Sequence, residues 1–285
     1  MKIVTDSAAD LTQADIETLG ITVAPLEIQF PEGSVFSDEI SRDDFYMRLK
    51  AMWPRIPSTS QPSSGLFAGI YKKLAHYKED VLSIHISAGL SGTINAARLG
   101  AEEIQEVVVD HVDTMTLSGG ERFQVIAAAL AAKAGQSKEM IFERLKRIRE
   151  NTEVIYTLET LAYLAKGGRI GRVQALAGAL LNIKPIIHVD KSDGKYSTVG
   201  KERTIPRSLS SIADYLQKTY GSTAVWASVM HGQMQEQADQ LAALFQQRLN
   251  VARLEILRIS PVLGVHTGPG IVGAAVAPAY LMDDL

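Results

Sequence analysis

The chain has 285 residues, of which 46% are hydrophobic, so it can bury a large core and form about two domains. Its 29 lysines and arginines stand against 32 aspartates and glutamates, and the resulting net charge of −3 argues against nucleic acid as a partner. The sequence contains no cysteine, which excludes disulfides, thiolate nucleophiles and cysteine-bound metals.

The first residues and the apolar runs bear on where the protein functions. Lys2 and Asp6 interrupt the start of the chain, so the sequence predicts no signal peptide. No run approaches the roughly 20 apolar residues that a membrane-spanning helix needs. We therefore expect a cytoplasmic protein.

Strands and helices alternate in the first half, as in α/β proteins. Thr12 and Asp15 form a capping-box pattern for a helix that ends at Gly20. The other predicted elements are strands at 3–4, 22–30, 81–86 and 107–112, a helix that Ser41 and Asp44 cap and the prolines of 54–57 end, and helices at 119–134 and 137–150.

The second half differs from the first because it contains a hairpin signal. Asp193-Gly194 lies between two strand-like segments and favours a tight turn, so a mixed sheet is predicted here. Strands are predicted at 154–158, 184–189, 224–230 and 252–259. We expect two α/β domains, at 1–150 with a mostly parallel sheet and at 151–285 with a mixed sheet, and a ligand cleft between them.

Hydroxyl-rich and glycine-rich loops follow three of the predicted strands, at Asp6-Ser7, 87–93 and Asp113-Thr114. The carboxyl ends of parallel strands form a crevice where helix N-termini offer free N–H groups to an anion. The loops therefore predict an anionic ligand group. The alternative is that the hydroxyls cap helices and the glycines serve turns.

Two further segments combine polar side chains with restricted backbone. The stretch 57–64 holds consecutive hydroxyls between prolines, which either preorganises donors for a ligand or makes a rigid connector. The stretch 166–172 places Arg169 and Arg172 on a glycine-rich turn, where they can bind an anion or an acidic partner, or simply end a helix. The apolar run 175–181 after it can line a tunnel or fill a core.

Near the end of the chain, His266 and Thr267 precede a G-x-G-x-x-G match. Pro269 lies inside that match and only 12 residues follow it, so a dinucleotide site is rejected. His266 can donate to an anion or can be structural. The sequence also has no G-x-S-x-G elbow, no phosphate-binding G-x-x-x-x-G-K loop and no metal-ligand spacing among its histidines.

Taken together, these segments resemble the DegV family over essentially the whole chain. The resemblance is carried, in order, by Asp6-Ser7-Ala8-Ala9-Asp10, Pro57-Ser58-Thr59-Ser60-Gln61-Pro62, Leu90-Ser91-Gly92-Thr93, Lys166-Gly167-Gly168-Arg169, Ile183-Lys184-Pro185 and His266-Thr267-Gly268-Pro269-Gly270. Proteins of this family have two α/β domains with a long-chain fatty acid between them. Some act with a separate ATP-dependent kinase subunit that converts the bound carboxylate to an acyl phosphate for phospholipid synthesis.

The resemblance implies specific roles. The residues that would hold the fatty acid carboxylate are Thr59, Ser60, Ser91, Gly92, Thr93, His266 and Thr267. Arg169, Arg172 and Arg203 would contact the kinase or the phosphorylated head. It further implies no metal, no cofactor, no catalysis by this chain itself, and only transient membrane contact.

Two departures from the family pattern bear on these roles. The family commonly has paired serines where this chain has Ser87-Ala88, and a tyrosine where it has Ile94, which can alter chain preference. Two other functions stay open: a lipid esterase with Ser91 as nucleophile and His266 as base, and a carrier of another anionic amphiphile.

Overall fold

The computed structural model describes residues 1–177 and 183–282. The strands of the first part are β1 (Lys2–Asp6), β2 (Thr22–Ala24), β3 (Glu27–Phe30), β4 (Gly33–Phe36), β5 (Ser58–Ser60), β6 (Val81–His85) and β7 (Val109–Asp113). Those of the second part are β8 (Glu153–Leu158), β9 (Lys184–Asp190), β10 (Lys195–Glu202), β11 (Ala224–His231), β12 (Asn250–Arg258) and β13 (Ile271–Pro278).

The helices connect these strands. They are α1 (Gln13–Leu19), α2 (Arg42–Met52), α3 (Ser64–Ala75), α4 (Thr93–Ala101), α5 (Ser118–Lys133), α6 (Lys138–Asn151), α7 (Ala162–Lys166), α8 (Gln174–Ala177), α9 (Ile205–Tyr220), α10 (Gln235–Arg248) and α11 (Pro261–Thr267). Short 3-10 turns cover Ser7–Ala9, Gly171–Val173 and Ala279–Leu281. In the part of the chain that is described, no helix combines the length and the hydrophobicity that crossing a membrane requires.

The two larger sheets confirm the predicted α/β class. The sheet β2-β1-β6-β7 is wholly parallel. The sheet β10-β9-β8-β13-β11-β12 is mixed, since β11 and β12 run parallel and the other neighbours antiparallel. The first sheet ends at Asp113 and the second begins at Glu153, on either side of the boundary near residue 150, which stays a prediction.

The single strand predicted at 22–30 is wrong. Pro25 has no N–H to donate, and the chain divides there into β2, which joins the parallel sheet, and β3, which joins a small antiparallel sheet of order β4-β3-β5. The prediction of a loop at 57–64 also missed β5. This small sheet matters because β5 carries Thr59.

Local signals in the sequence were otherwise reliable. The Thr12 hydroxyl accepts from the Asp15 N–H while the Asp15 carboxylate accepts from the Thr12 N–H, which confirms the capping box. The hairpin at Asp193-Gly194 is also confirmed, and its tip rests on the loop after β6: a Cβ atom on Gly194 would lie 1.9 Å from Ser87 Oγ. The tip therefore joins the two parts of the molecule.

The largest buried cluster lies between the two large sheets. It includes Leu82 and Ile84 of β6, Phe123 of α5, Leu158 of β8 and Ile187 of β9. Apolar surface from both sheets thus meets in one core. The apolar run at 175–181 falls largely outside the described residues, so its predicted role stays a prediction.

Candidate functional site

Five polar side chains from separate segments line one cavity between the two sheets, which we name the polar cavity. They are Thr59 of β5, Ser91 before α4, Arg169 after α7, Tyr196 of β10 and His266 of α11. The rest of its wall is apolar. The structure therefore brings together four of the ten residues to which the resemblance assigned roles, Thr59, Ser91, Arg169 and His266, and adds Tyr196.

The centre of the polar cavity is a hydrogen bond between Thr59 Oγ1 and His266 Nε2, with a length of 2.8 Å. Burial, together with the positive charge of Arg169, lowers the pKa of His266 to about 4, so its imidazole is neutral at pH 7. When Nε2 carries the proton it donates to Thr59, whose own hydroxyl proton is then available to a ligand oxygen.

The other ring nitrogen, His266 Nδ1, is buried and has no hydrogen-bond partner among the described residues. Its neighbour is Gly167, where a Cβ atom would lie 2.2 Å from Nδ1. Only glycine permits this approach of the segment after α7 to the histidine. The glycine-rich turn therefore has a packing function that brings Arg169 to the cavity.

Arg169 is half-buried in the cavity wall and donates from Nη1 to the Gly167 carbonyl oxygen over 2.8 Å. No carboxylate of the described chain forms an ion pair with it. A guanidinium beside a neutral imidazole and two hydroxyls favours an anionic ligand.

The other two arginines lie elsewhere. Arg172 is about half exposed and pairs with Asp193 at 2.8 Å, while Arg203 is exposed before α9. Of the three arginines predicted to contact a partner or the phosphorylated head, Arg169 lines the polar cavity and the other two do not, and their predicted contacts stay a prediction.

The hydroxyls predicted to act together also separate. Successive side chains of a strand point to opposite faces, so Thr59 faces the cavity and Ser60 donates to Glu27 Oε2 at 3.3 Å on the other face. Ser91 Oγ lies 2.8 Å from Thr93 Oγ1, and Thr93 is wholly buried behind it.

Gly92 caps α4 and approaches Gln61 instead of the cavity. An esterase needs its histidine base hydrogen-bonded to the serine nucleophile. No hydrogen bond joins Ser91 to His266, which argues against the esterase hypothesis.

The carboxylates at the strand ends support the cavity wall. Asp6 is wholly buried and accepts from the N–H groups of Ala8 and Ile86, both at 3.0 Å, and these two residues line the polar cavity. Asp113 likewise accepts from the Ala88 N–H at 3.3 Å. The loops after these strands lie near one another, and their acidic side chains accept hydrogen bonds from backbone N–H groups.

A second cavity, which we name the apolar cavity, adjoins the first. The two share Leu117, Tyr196 and Leu263, and the apolar cavity continues between the start of α5, strands β8 and β13, and α11. Thr267 lines this second cavity, where its hydroxyl donates to the Leu263 carbonyl oxygen over 3.0 Å. The pair of cavities is polar at one end and hydrophobic at the other.

Sequence reasoning missed Tyr196 and Tyr156, which line these cavities. Their strands β10 and β8 are separated by β9, and their rings meet on one face with centroids 5.6 Å apart. The hairpin signal at Asp193-Gly194 placed Tyr196 on a strand but did not show which of its side chains are buried. The sequence does not show that Tyr156 lies near Tyr196 across β9, because this depends on the order and register of the strands.

Comparisons with known proteins agree with this architecture. A family model described as "Uncharacterised protein, DegV family" matches residues 1–279. A DegV domain-containing protein of Deinococcus radiodurans is 35% identical over 277 residues, which cover 97% of this chain and 95% of that protein.

Two solved structures are also similar. A DegV family protein of Thermus thermophilus, described by its fatty acid binding, has a TM-score of 0.91 at 30% identity and covers 97% of this chain and 99% of its own. A stearic acid-binding protein of Eubacterium ventriosum has a TM-score of 0.88 at 26% identity and covers 100% and 99%.

Proposed function

The chain belongs to the DegV family, and we propose that it binds a long-chain fatty acid with the carboxylate in the polar cavity and the acyl chain in the apolar cavity. The observation that carries this proposal is the junction of the two cavities, one lined by Arg169, His266, Thr59 and Ser91 and the other by hydrophobic side chains. The fatty acid binding described for the relatives of known structure supports it.

Three donors suit the carboxylate. The Arg169 guanidinium supplies charge, and the hydroxyls of Thr59 and Ser91 supply hydrogen bonds. The neutral His266 orients Thr59 without adding a second positive charge. A carboxylate held mainly by hydroxyls and one arginine keeps lone pairs for reaction.

Burial of the acyl chain dominates the affinity. At about 0.8 kcal/mol per methylene, a sixteen-carbon chain gains on the order of 10 kcal/mol before the cost of ordering. Each cavity encloses only about 40 Å³ of free space, whereas ligand pockets usually measure about 300–1,000 Å³. The proposal therefore requires the walls around Leu117 and Leu263 to separate when the chain enters.

The test is a titration of delipidated protein with hexadecanoate. Ser91→Ala removes a donor and is expected to weaken binding about threefold to tenfold, as expected for one hydrogen bond. Ser60→Ala is the matched control, because Ser60 faces Glu27, and its affinity stays at the wild-type value. Equal affinities for Ser91→Ala and wild type would contradict the placement of the carboxylate.

We further propose that the protein presents the bound carboxylate to a separate ATP-dependent fatty acid kinase. A carboxylate oxygen attacks the γ-phosphoryl group, ADP leaves, and the acyl phosphate is available to phospholipid synthesis. The sequence itself lacks a phosphate-binding G-x-x-x-x-G-K loop. Exposed Arg203 and half-exposed Arg172 suit contact with such a partner or with the phosphate.

Reconstitution with a fatty acid kinase subunit tests this step. Arg203→Ala is expected to slow acyl phosphate formation while the affinity for fatty acid stays unchanged. Lys218→Ala is the control, since Lys218 is also exposed but lies about 20 Å further along α9. An Arg203→Ala rate equal to that of the control would remove Arg203 from the interface.

A further inference from the structure

The apolar cavity contains one hydroxyl group that the protein leaves unused. Tyr156 is 6% exposed and lines this cavity, and its Oη is buried with no hydrogen-bond partner among the described residues. Two other hydroxyls of the same wall are partnered: Ser118 donates to Asp10 at 2.6 Å and Thr267 to the Leu263 carbonyl oxygen. A buried polar group without a partner costs free energy, so it needs an explanation.

A second phenol lies beside it. The Tyr196 ring meets the Tyr156 ring edge to face at 5.6 Å, and the two phenols are close enough for each to influence the pKa of the other. Burial raises the pKa of Tyr196 to about 12, and burial together with the neighbouring Tyr196 raises the pKa of Tyr156 well above its usual value, so both phenols stay protonated at neutral pH. The two neighbouring hydroxyls can therefore both bond to one polar group of a ligand.

The position of the pair along the ligand follows from the lining of the two cavities. Tyr196 lines both cavities, and Arg169 is near enough to influence its pKa. A chain whose carboxylate lies beside Arg169 must pass Tyr196 within its first few carbons before it reaches the hydrophobic end. Any polar substituent that the phenols bind is therefore close to the carboxylate.

We propose that Tyr156 and Tyr196 select acyl chains that carry a hydroxyl group near the carboxylate. This inference rests on the proposed function, which supplies the orientation of the chain. A ligand hydroxyl can accept a hydrogen bond from one phenol and donate to the other, and this gives the Tyr156 hydroxyl a hydrogen-bond partner. A site with a buried hydroxyl of this kind discriminates against the analogue that cannot bond to it.

The experiment compares wild-type protein titrated with hexadecanoate, with each enantiomer of 3-hydroxyhexadecanoate and with 16-hydroxyhexadecanoate. One 3-hydroxy enantiomer is expected to bind about threefold to tenfold tighter than hexadecanoate, and 16-hydroxyhexadecanoate no tighter. The enantiomers have identical solubility in water, so a difference between them can come only from the site.

The variant Tyr156→Phe keeps the ring and is expected to lose the preference for one 3-hydroxy enantiomer over hexadecanoate. Tyr196→Phe gives the same test if Tyr156→Phe does not fold. Tyr163→Phe is the control with an intact preference, because Tyr163 is buried but outside both cavities.

Two results would overturn the inference while the proposed function stands: hexadecanoate binds with no preference for either 3-hydroxy enantiomer, or Tyr156→Phe retains the wild-type preference. Failure of all four acids to bind overturns the proposed function, and the inference falls with it.

Discussion

Two histidines of this protein occupy contrasting surroundings. His85 is wholly buried, with Nδ1 3.0 Å from Asp6 Oδ2 and Nε2 2.7 Å from Ser83 Oγ, and the Ser83 hydroxyl lies 2.7 Å from Tyr71 Oη. His266 bonds to Thr59 through one nitrogen, and among the described residues its other nitrogen has no hydrogen-bond partner and the neighbouring Arg169 has no carboxylate in an ion pair with it.

This difference separates a structural network from a binding site. The His85 network satisfies both ring nitrogens within the protein, so it has nothing to offer a ligand and instead fixes the strand ends. The His266 cluster keeps unused polar capacity and a positive charge. Residue types alone do not distinguish the two clusters, since each combines a histidine with a hydroxyl.

The largest expected effect comes from breaking the His85 network. Asp6→Ala removes the acceptor for His85 and for the N–H groups of Ala8 and Ile86, and we expect a loss of about 3–5 kcal/mol in the free energy of unfolding. Urea unfolding measures this loss. Thr59→Ala is the control from the other cluster, with a loss below about 1.5 kcal/mol. Equal losses of unfolding free energy in the two variants would contradict the view that the His85 network is structural and the His266 cluster is not.

The next effect is the pH dependence that His266 causes. Its folded pKa of about 4 lies below the unfolded value of about 6.5, so the unfolded chain binds more protons between these values. Stability is therefore present above pH 6.5 and is lost as the pH falls toward 4, by at most about 3 kcal/mol.

Urea unfolding at pH 7, 5.5 and 4.5 shows this loss in wild type. In His266→Gln the part due to His266 is absent, so its stability falls less steeply with acid. An identical pH profile for the variant would mean that His266 is not held neutral by its surroundings.

Arg169→Met sharpens the comparison from the binding side. Hydrogen bonds to charged groups contribute about 1.5–3 kcal/mol, so the affinity for hexadecanoate is expected to fall about tenfold to a hundredfold. Unfolding stability stays near wild type, because Arg169 forms no ion pair within the described chain.

Arg172→Met is its matched control. Its exposed pairing with Asp193 contributes about 0–1 kcal/mol to stability, and the substitution leaves fatty acid affinity unchanged. Comparable affinity losses in both variants would indicate a diffuse effect of positive charge instead of a carboxylate site.

Much of the fold was predictable because its signals are local. The Thr12 capping box and the Asp193-Gly194 hairpin depend on neighbouring residues and are confirmed. Strand β13 was missed, although it lies between β8 and β11, because its run of glycine and alanine lacks the bulky residues typical of strands. The division at Pro25 required knowledge of which sheet each half joins.

The site was predictable in part. Thr59, Ser91 and His266 stand in short motifs, and the structure places them in one cavity. The opposite orientation of Ser60 depends on the register of β5 against β3, which the sequence does not show. Tyr156 and Tyr196 meet across an intervening strand, so only the assembled sheet reveals them as a pair.

The most direct test of the central claim is native mass spectrometry of the gently purified protein, followed by organic extraction and identification of the extracted molecules. We expect one long-chain fatty acid per chain in the wild type and markedly lower occupancy in Arg169→Met. A protein that carries no lipid and fails to take up added fatty acids would contradict the assignment of the two cavities.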